Sequence, residues 1–483
     1  MNISYKINNN SIIQTAFIPY KPFQINLVTG VENQSFGLVG GLIAKLFPVK
    51  ATKGIAVLQS IMQTYTGELL VEHGELPQSA TYVGVDPDRH LLFSTVKEEL
   101  ISQQISLEEA SNILATVGLE ESFLVREISS LSGGEKMKVV LAIAFSTNVD
   151  CYILHGVIPW LDKNGRDLLK SHVQNLRNKG ACVIFFEHEV HSLENFVDGV
   201  YEFDGITIKE SNIFKKTSFN ELNSQLVESA ITLSNCIRSL TDSQNILQFK
   251  NVVLKKHPLN DWNSENVLLN NITFNFKDNE IYFLIGDNGT GKSTLAQIAF
   301  RVFTPDSGIV SFCNKPITKY KREELVEKIC YVTQFPEHQI VLSTIGEYRK
   351  QSLSRNNSLS LMLFKKYLDL PDSVPIGSLT YFQMKVLNLI SFISEATKLI
   401  ILDEPSWGLD TNNQIELLNI LVDISKTIRF TLLIITHDFC FMKPLCPKVF
   451  WLHEGILTIY DNINDFCKED KIVSKFDIPN NWR

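Results

Sequence analysis

The feature of this 483-residue sequence that most constrains its fold is an internal repeat. YVGVDPDRHLLFSTV from Tyr82 aligns without a gap with YVTQFPEHQIVLSTI from Tyr331. Further pairs follow in the same order, at separations of 248 or 249 residues: SSLSGGEKMK with GSLTYFQMKV, CYILHGVIPWLD with LIILDEPSWGLD, and VIFFEHE with LLIITHD. A repeat of this length and order predicts a tandem duplication of one domain.

Each copy has the pattern of an α/β domain. Short runs rich in Ile, Val and Leu alternate with longer segments of helical spacing, which predicts buried parallel strands connected by helices. YEFDGITIKE, ending at Glu210, is predicted to form the closing strands of the first copy, and LQFKNVVLKK from Leu247 the opening strand of the second. The predicted boundaries are 1–210 for the first domain, 211–245 for a helical linker or a C-terminal lid of the first copy, and 246–483 for the second domain.

Composition excludes several classes of protein. Hydrophobic residues make up 44% of the sequence and charged residues 20%, as in globular proteins. The longest apolar runs are much shorter than the roughly 20 residues that span a bilayer, and the N-terminus lacks the pattern of a secretory signal, so we expect a cytoplasmic location. A net charge of −8 disfavours a nucleic-acid partner, and eight cysteines without a CxxC pair predict neither disulfides nor zinc.

A phosphate-binding loop is predicted in IYFLIGDNGTGKSTLAQIAF. An apolar strand, a glycine-rich turn and a helix beginning at Lys292 follow one another, which is the context that a GxxxxGK[ST] match requires. Backbone N–H groups of such a turn point at phosphates, and the lysine adds a full positive charge. The predicted ATP-binding residues of this segment are Gly286, Asp287, Asn288, Gly289, Thr290, Gly291, Lys292, Ser293 and Thr294, with Ser293 also expected to bind Mg²⁺.

A second motif, LIILDEPSWGLD, places two carboxylates at the end of an apolar strand. Asp403 is expected to hold Mg²⁺ through water, and Glu404 follows beside the γ-phosphate. We interpret Glu404 as the general base that activates the attacking water.

The ordered set of phosphate loop, Gln334, LSGGE, DEPSWGLD and THD resembles the nucleotide-binding domains of ABC ATPases, over nearly the whole chain and twice. The resemblance implies two tandem P-loop NTPase domains, each with a helical signature subdomain, and ATP and Mg²⁺ as ligands. It also implies that each ATP lies between the phosphate loop of one domain and the signature motif of the other, so the two halves pair with each other within one chain.

The resemblance also assigns roles to individual residues. Gln334 would contact Mg²⁺ and the attacking water, and His437 the γ-phosphate. Asp410 and Asp162 match the interface aspartates of the family. The signature residues that would reach the nucleotide from the first half are Ser132, Gly133, Gly134 and Glu135.

The two copies carry complementary defects. The first copy lacks the ligands of phosphate, metal and water, because its aligned residues are Ser35, Phe36, Gly37, Val85, His155 and Gly156. The second copy keeps those ligands but has Thr380, Tyr381 and Phe382 in place of the signature Ser-Gly-Gly. In a head-to-tail pair all of these defects fall on one composite site, which predicts that the other site is complete. His188 matches His437 but is expected to have no catalytic role.

Two further features give weaker predictions. His257 in KKHPL is the nearest candidate for stacking on adenine, with Tyr5 as the candidate in the first half, and a plain turn before Pro258 explains His257 equally well. HEVH at His188 to His191 does not match the HExxH spacing of zinc proteases, so no metal is assigned to it.

The segments DPDRHLLFSTV and FPEHQIVLSTI resemble those that follow the Gln loop in ATPases of energy-coupling factor (ECF) transporters. That resemblance implies an importer of a vitamin, a precursor or a metal ion. It also implies a transmembrane coupling protein and a substrate-binding membrane subunit as partners, with the ATPase peripheral on the inner face of the membrane. Two alternatives remain open: a soluble tandem ABC ATPase acting in translation or nucleic-acid maintenance, and a nucleotide-gated binding module with negligible turnover.

Overall fold

A six-stranded sheet with five parallel strands lies at the centre of each of two units, Met1–Phe219 and Asn220–Arg483. The chain is seen in a computed structural model, which describes residues 2–7, 13–17, 22–30, 67–73, 79–84, 86–187, 193, 196–203, 208–210, 217–238, 244–256, 266–287, 289–469, 471–472 and 476. The fold is α/β, as the alternation of apolar runs and helical segments predicts.

The first unit combines its central sheet with a small antiparallel sheet. Its strands are β1 (Asn2–Ile7), β2 (Ile13–Phe17), β3 (Ile25–Gly30), β4 (Gly67–His73), β5 (Ala80–Val83), β6 (Cys151–His155), β7 (Cys182–Phe186), β8 (Gly199–Phe203) and β9 (Ile208–Glu210). Its helices are α1 (Val96–Ser102), α2 (Leu107–Thr116), α3 (Gly133–Ser146) and α4 (Lys163–Asn178). The sheets have the strand orders β2-β1-β4 and β5-β6-β7-β3-β8-β9.

The second unit begins within helix α5 (Thr217–Arg238). Its strands are β10 (Asn245–Lys256), β11 (Asn266–Lys277), β12 (Ile281–Ile285), β13 (Ser307–Phe312), β14 (Lys315–Pro316), β15 (Ile329–Val332), β16 (Leu399–Asp403), β17 (Thr431–Ile435), β18 (Lys448–His453) and β19 (Ile456–Tyr460). The remaining helices are α6 (Lys292–Ala299), α7 (Arg322–Lys328), α8 (Ile345–Ser354), α9 (Ser358–Tyr367), α10 (Tyr381–Phe392), α11 (Thr411–Thr427), α12 (Phe439–Met442) and α13 (Ile463–Cys467).

The central sheets of the two units have the same strand order along the repeat. The order β15-β16-β17-β12-β18-β19 of the second unit matches β5-β6-β7-β3-β8-β9 of the first, strand for strand, and in both the last strand is antiparallel. Strands such as β12, β16 and β17 are buried along their whole length. Parallel strands covered on both faces consist of continuous apolar runs, which explains why the sequence shows no alternation there.

Helices of both units begin with the same local signal. Ser132 caps α3 in a reciprocal pair of hydrogen bonds with Glu135, and Thr380 caps α10 in the same way with Gln383. A hydroxyl at the cap and a Glu or Gln three residues later satisfy two backbone donors at a helix start. The first turn of α10 is therefore fixed by its sequence although its signature glycines are replaced.

Helix α5 packs on the second unit. Its buried face contributes four apolar side chains at helical spacing to the main core of that unit: Leu226, Ala230, Leu233 and Ile237. At the end of the helix, Arg238 donates to the backbone oxygens of Leu445 and Cys446 at 3.2 and 2.7 Å. The segment predicted as a linker or a lid of the first copy therefore contributes most of its helix to the core of the second unit.

In the described part of the chain, no helix has the length and the apolar character needed to cross a bilayer.

We predict that Leu233→Ala lowers the free energy of unfolding of the second unit by about 2–4 kcal/mol, because it leaves a cavity in a packed core. Ile231→Ala on the same helix is the matched control, since Ile231 is 47% exposed, and should change stability by less than about 0.5 kcal/mol. Urea unfolding of the full chain, with the second unit followed by amide hydrogen exchange, measures both. Equal effects of the two variants would show that α5 is not part of this core.

Candidate functional site

The predicted site residues of the second unit follow the ends of four adjacent parallel strands. Strands β15, β16, β17 and β12 are neighbours in that order. The segment after β15 carries Gln334, the end of β16 carries Asp403 and Glu404, and the segment after β17 carries His437. The glycine-rich loop at 286–291 follows β12. Since the carboxyl ends of parallel strands meet at one edge of a sheet, the segments that carry these residues lie at the same edge.

The glycine-rich loop has a conformation that requires glycine. A Cβ atom on Gly286 would lie 2.2 Å from the backbone oxygen of Leu452, which is too close for any side chain. Gly289 and Gly291 have φ angles of +78° and +99°, in the region that favours glycine. Helix α6 begins directly afterwards, at Lys292 as predicted, so its first N–H groups lie at the loop, where they favour an anion.

Lys292 is buried inside the loop, with an exposed fraction of 8%. Its ammonium group donates hydrogen bonds to the backbone oxygens of Gly286 and Asp287 at 2.8 and 2.9 Å. Burial lowers the pKa of Lys292, whereas the nearby carboxylates of Glu404 and Asp403 act in the opposite direction. The loop therefore holds a partly desolvated cation, which interacts with an anion more strongly than an exposed lysine does.

Asp403 is buried at the end of β16 and has hydroxyl partners. The side chain of Tyr331 donates to its Oδ2 at 3.2 Å, and the hydroxyl of Ser293 is a second hydrogen-bond partner. Burial raises the pKa of Asp403, and the contact with Ser293 opposes that rise. A carboxylate and a hydroxyl oxygen beside the lysine are ligands of the type that Mg²⁺ prefers, so these residues fit the predicted cation.

Glu404 has an unusual backbone and an unusual pKa. Its φ of +46° is rare for a residue with a side chain, and its N–H donates to the oxygen of Ile435 at 2.6 Å. Its carboxylate accepts a hydrogen bond from Thr436 at 2.6 Å, and the Nε2 of His437 lies 3.8 Å from its Oε1. Burial raises the pKa of Glu404 to about 7. A carboxylate that titrates near neutral pH can accept a proton from water during catalysis.

The same edge of the first unit keeps the backbone but not the carboxylates. Gly156, aligned with Glu404, has a φ of +63°, and its N–H donates to Phe186 as that of Glu404 does to Ile435. His155, aligned with Asp403, has its Nδ1 2.9 Å from the hydroxyl of Tyr82. Glu187, aligned with Thr436, accepts two hydrogen bonds from backbone N–H groups, those of Val157 and Ile158, at 2.7 and 3.0 Å.

The signature segment of the first unit lies at the start of α3. Ser132 is the cap residue, and its N–H and hydroxyl donate to Glu135 at 2.7 and 2.8 Å. A Cβ atom on Gly133 would lie 2.2 Å from the ring of Trp160, so this glycine is required by packing within its own unit. Gly134 is buried in the first turn.

Several predicted residues lie outside the part of the chain that the structure describes. They are Ser35, Phe36, Gly37, Val85, His188, His257, Asn288 and the side chain of Tyr5.

Comparisons with known proteins identify the family. The family model for ABC transporters matches residues 269–407, which include the loop, Gln334 and Glu404. The energy-coupling factor transporter ATP-binding protein EcfA3 of Clostridium perfringens is 30% identical over 241 residues, covering 47% of this chain and 83% of that protein. The chain belongs to the ABC transporter ATPase family.

Two other matches extend over both units of this ABC ATPase. The "Putative HMP/thiamine import ATP-binding protein YkoD" of Bacillus subtilis is 26% identical over 438 residues, covering 83% of this chain and 79% of that protein. A solved structure named RNase-L Inhibitor has a TM-score of 0.56 at 17% identity, covering 97% of this chain and 92% of that chain. At that identity the structure shows a likeness of fold alone.

The sequence did not reveal several residues that form hydrogen bonds to the predicted site residues. Tyr331 and Thr436 donate hydroxyl hydrogen bonds to Asp403 and Glu404, and Lys385 donates to the backbone oxygens of Glu404, Pro405 and Trp407. The signal for Tyr331 was present, because the repeat places Tyr82 at the same position, where it contacts His155. Lys385 follows the signature segment in an apolar helix and gave no comparable signal.

The repeat aligns His90 with Gln339, and each of these side chains accepts a hydrogen bond from a backbone N–H group of its own unit. The Nε2 of His90 accepts a hydrogen bond from Gly84 N–H at 2.8 Å, and the Oε1 of Gln339 accepts one from Thr333 N–H at 3.0 Å. Burial lowers the pKa of His90 from 6.5 to about 4. The unfolded chain therefore binds the imidazole proton more readily than the folded chain, and stability falls as the pH drops below 6.5 toward 4.

We predict that His90→Gln removes this loss of stability. The variant should match the wild type within about 0.5 kcal/mol at pH 7, because glutamine preserves the acceptor. At pH 5 it should be more stable than the wild type by about 2 kcal/mol, as follows from the lowered pKa. Urea unfolding of the first unit at the two pH values measures the difference. The same difference at both pH values would contradict a buried neutral His90.

Proposed function

We propose that this ABC ATPase is the ATP-binding and hydrolysing subunit of an ECF-type importer and hydrolyses ATP at one composite site. The observation that carries the proposal is a group of three charged side chains at one edge of the second unit, the buried Lys292 and Asp403 and the partly buried Glu404. A cation within a glycine-rich loop beside a carboxylate of raised pKa is suited to binding phosphates and activating water.

The residues of the second unit divide the chemistry among them. Lys292 and the N–H groups of the loop would bind the phosphates of ATP. Ser293, Asp403 and Gln334 would hold Mg²⁺, which when bound neutralises negative charge on the phosphates. Glu404 would accept the proton of the attacking water, with His437 beside it orienting the γ-phosphate. The hydrogen bond from Thr436 restricts the orientation of the Glu404 carboxylate, which supports this role.

We further propose that the two units arose by duplication and that only one composite site hydrolyses ATP. The shared strand order supports the duplication. The first unit has His155 and Gly156 in place of the two carboxylates, and the carboxylate of Glu187 is occupied by two backbone N–H groups. The family resemblance then assigns Ser132, Gly133, Gly134 and Glu135 to the nucleotide held at Lys292, and it assigns the replaced signature of the second unit to the site without turnover.

The proposal that ATP hydrolysis is coupled to transport is supported by the names of two relatives. One is named an energy-coupling factor transporter ATP-binding protein, and another carries HMP/thiamine import in its name. By analogy this chain would work with a transmembrane coupling protein and a substrate-binding membrane subunit, peripheral on the inner face of the membrane. A vitamin, a vitamin precursor or a metal ion is the proposed class of substrate.

We predict that Glu404→Gln lowers the turnover number for ATP by about 10² to 10⁴-fold while the Kd for ATP changes less than about threefold, because the general base is lost and the phosphate contacts remain. Lys292→Ala should instead weaken ATP binding. The double variant His155→Asp, Gly156→Glu is the matched control in the first unit. It should leave turnover unchanged, because the aligned loop there still lacks its lysine. Wild-type turnover in Glu404→Gln would contradict the assignment of the base.

The transport assignment has its own test. Tagged full-length chain, extracted from native membranes in mild detergent, should retain small polytopic membrane proteins at a fixed stoichiometry. Recovery with ribosomes, and no membrane subunits in the detergent extract, would favour a soluble ABC ATPase acting in translation. The two outcomes separate the proposed function from its alternative.

A further inference from the structure

Helix α10 of the second unit presents three hydrogen-bond donors on one face. Tyr381, Lys385 and Asn388 are four and three residues apart, a spacing that places side chains on the same side of a helix. Each of them donates to backbone oxygens in the loops that carry Gln334 and Glu404. Tyr381 belongs to the segment in which the signature glycines are replaced, and Lys385 and Asn388 lie in the next two turns of the helix.

Two of the donors hold the segment that follows β15. The hydroxyl of Tyr381 donates to the backbone oxygen of Gln334 at 2.6 Å. The side-chain amide of Asn388, which is fully buried, donates to the backbone oxygen of Pro336 at 2.7 Å. Backbone oxygens in a loop have no strand partner of their own, so these side chains fix the path of the chain at Gln334.

The third donor holds the segment that follows β16. The ammonium group of Lys385, with an exposed fraction of 3%, donates to the backbone oxygens of Glu404, Pro405 and Trp407 at 2.9, 3.1 and 3.0 Å. It also lies 5.0 Å from the centre of the Tyr381 ring. Three acceptors use the donor capacity of an ammonium group in full, so the burial of this charge is compensated only when the loop after Glu404 keeps its observed path.

The corresponding helix of the first unit has no donor at these three positions. Counted from the helix caps Ser132 and Thr380, the residues at the positions of Tyr381, Lys385 and Asn388 are Gly133, Met137 and Val140, whose side chains cannot donate. The ammonium group of the neighbouring Lys138 lies 3.6 Å from the carboxylate of Asp162. At the start of this helix, an aromatic ring packs against a glycine in both units, but the two residue types are exchanged between the positions. In the first unit Trp160 lies against Gly133, and in the second unit Tyr381 lies against Gly408, the residue aligned with Trp160. Where tyrosine replaces the glycine of the helix, glycine therefore replaces the tryptophan that it contacts.

We infer that helix α10 positions Gln334 and Glu404 for catalysis in its own unit. On the family resemblance this helix should present glycines to a second nucleotide. Here its side chains instead hold the segments of the same unit that carry Gln334 and Glu404. Tyr381, Lys385 and Asn388 are positioning residues, since they act through the backbone of residues that face the nucleotide. The inference rests on the proposed function for its catalytic part.

The test uses the full-length chain with Tyr381→Phe, which removes one hydroxyl and keeps the ring against Trp407. Tyr367→Phe is the matched control, because the hydroxyl of Tyr367 donates at the same 2.6 Å distance to the carboxylate of Asp423 on helix α11. Lys385→Met and Asn388→Val, which introduce the residues of the first unit, extend the series. Amide hydrogen exchange over 333–340 and 404–409, turnover number and Kd for ATP are measured for each.

We expect Tyr381→Phe to accelerate exchange over 333–340 by severalfold and to lower the turnover number by about 10-fold, with the Kd for ATP changed less than twofold, because a small misplacement of reacting groups costs rate. Lys385→Met should accelerate exchange over 404–409, and Tyr367→Phe should do neither. Unchanged exchange in Tyr381→Phe would overturn the inference, as would unchanged turnover in a chain whose hydrolysis requires Lys292. If the wild type has no such hydrolysis, the proposed function fails, and the exchange over 333–340 still decides whether α10 positions the loop.

Discussion

The structure of the second unit depends on the burial of charge at one edge of its central sheet. Lys292, Asp403 and Lys385 are largely removed from solvent, and Glu404 lies among them. A buried charge is costly unless partners compensate it. The compensation comes from backbone oxygens, from the hydroxyls of Ser293, Tyr331 and Thr436, and from the opposite charges themselves. These contacts fix the loops whose residues are proposed to hold ATP.

The burial of charge also explains what distinguishes the two units. The first unit has the same strand order and the same left-handed backbone at Gly156 as the second has at Glu404. What differs is the set of charged side chains, because His155 and Gly156 replace the carboxylates and Met137 replaces Lys385. The carboxylate of Glu187, at that edge, accepts hydrogen bonds from two backbone N–H groups. The strand order thus persists in the first unit without carboxylates at the positions of Asp403 and Glu404.

The parts of this architecture that depend on short stretches of sequence could be predicted. Apolar runs predicted the buried strands, and the glycine-rich turn predicted a helix that begins at Lys292. The packing of α5 on the second unit was not predicted. The spacing of apolar residues in a helix predicts that one face is buried, but it does not indicate against which domain. The contacts of Lys385 and Asn388 were missed for a related reason, since a donor in an apolar helix reveals its acceptors only when loops distant in sequence are in place.

The central claim is that one composite site per chain hydrolyses ATP. Trapping of labelled ADP with Mg²⁺ and orthovanadate, which takes the position of the γ-phosphate, counts sites that reach the hydrolytic state. We expect at most one trapped ADP per chain, and none in Glu404→Gln. Two trapped ADP per chain would contradict it, because the first unit would then support hydrolysis without a carboxylate at Gly156.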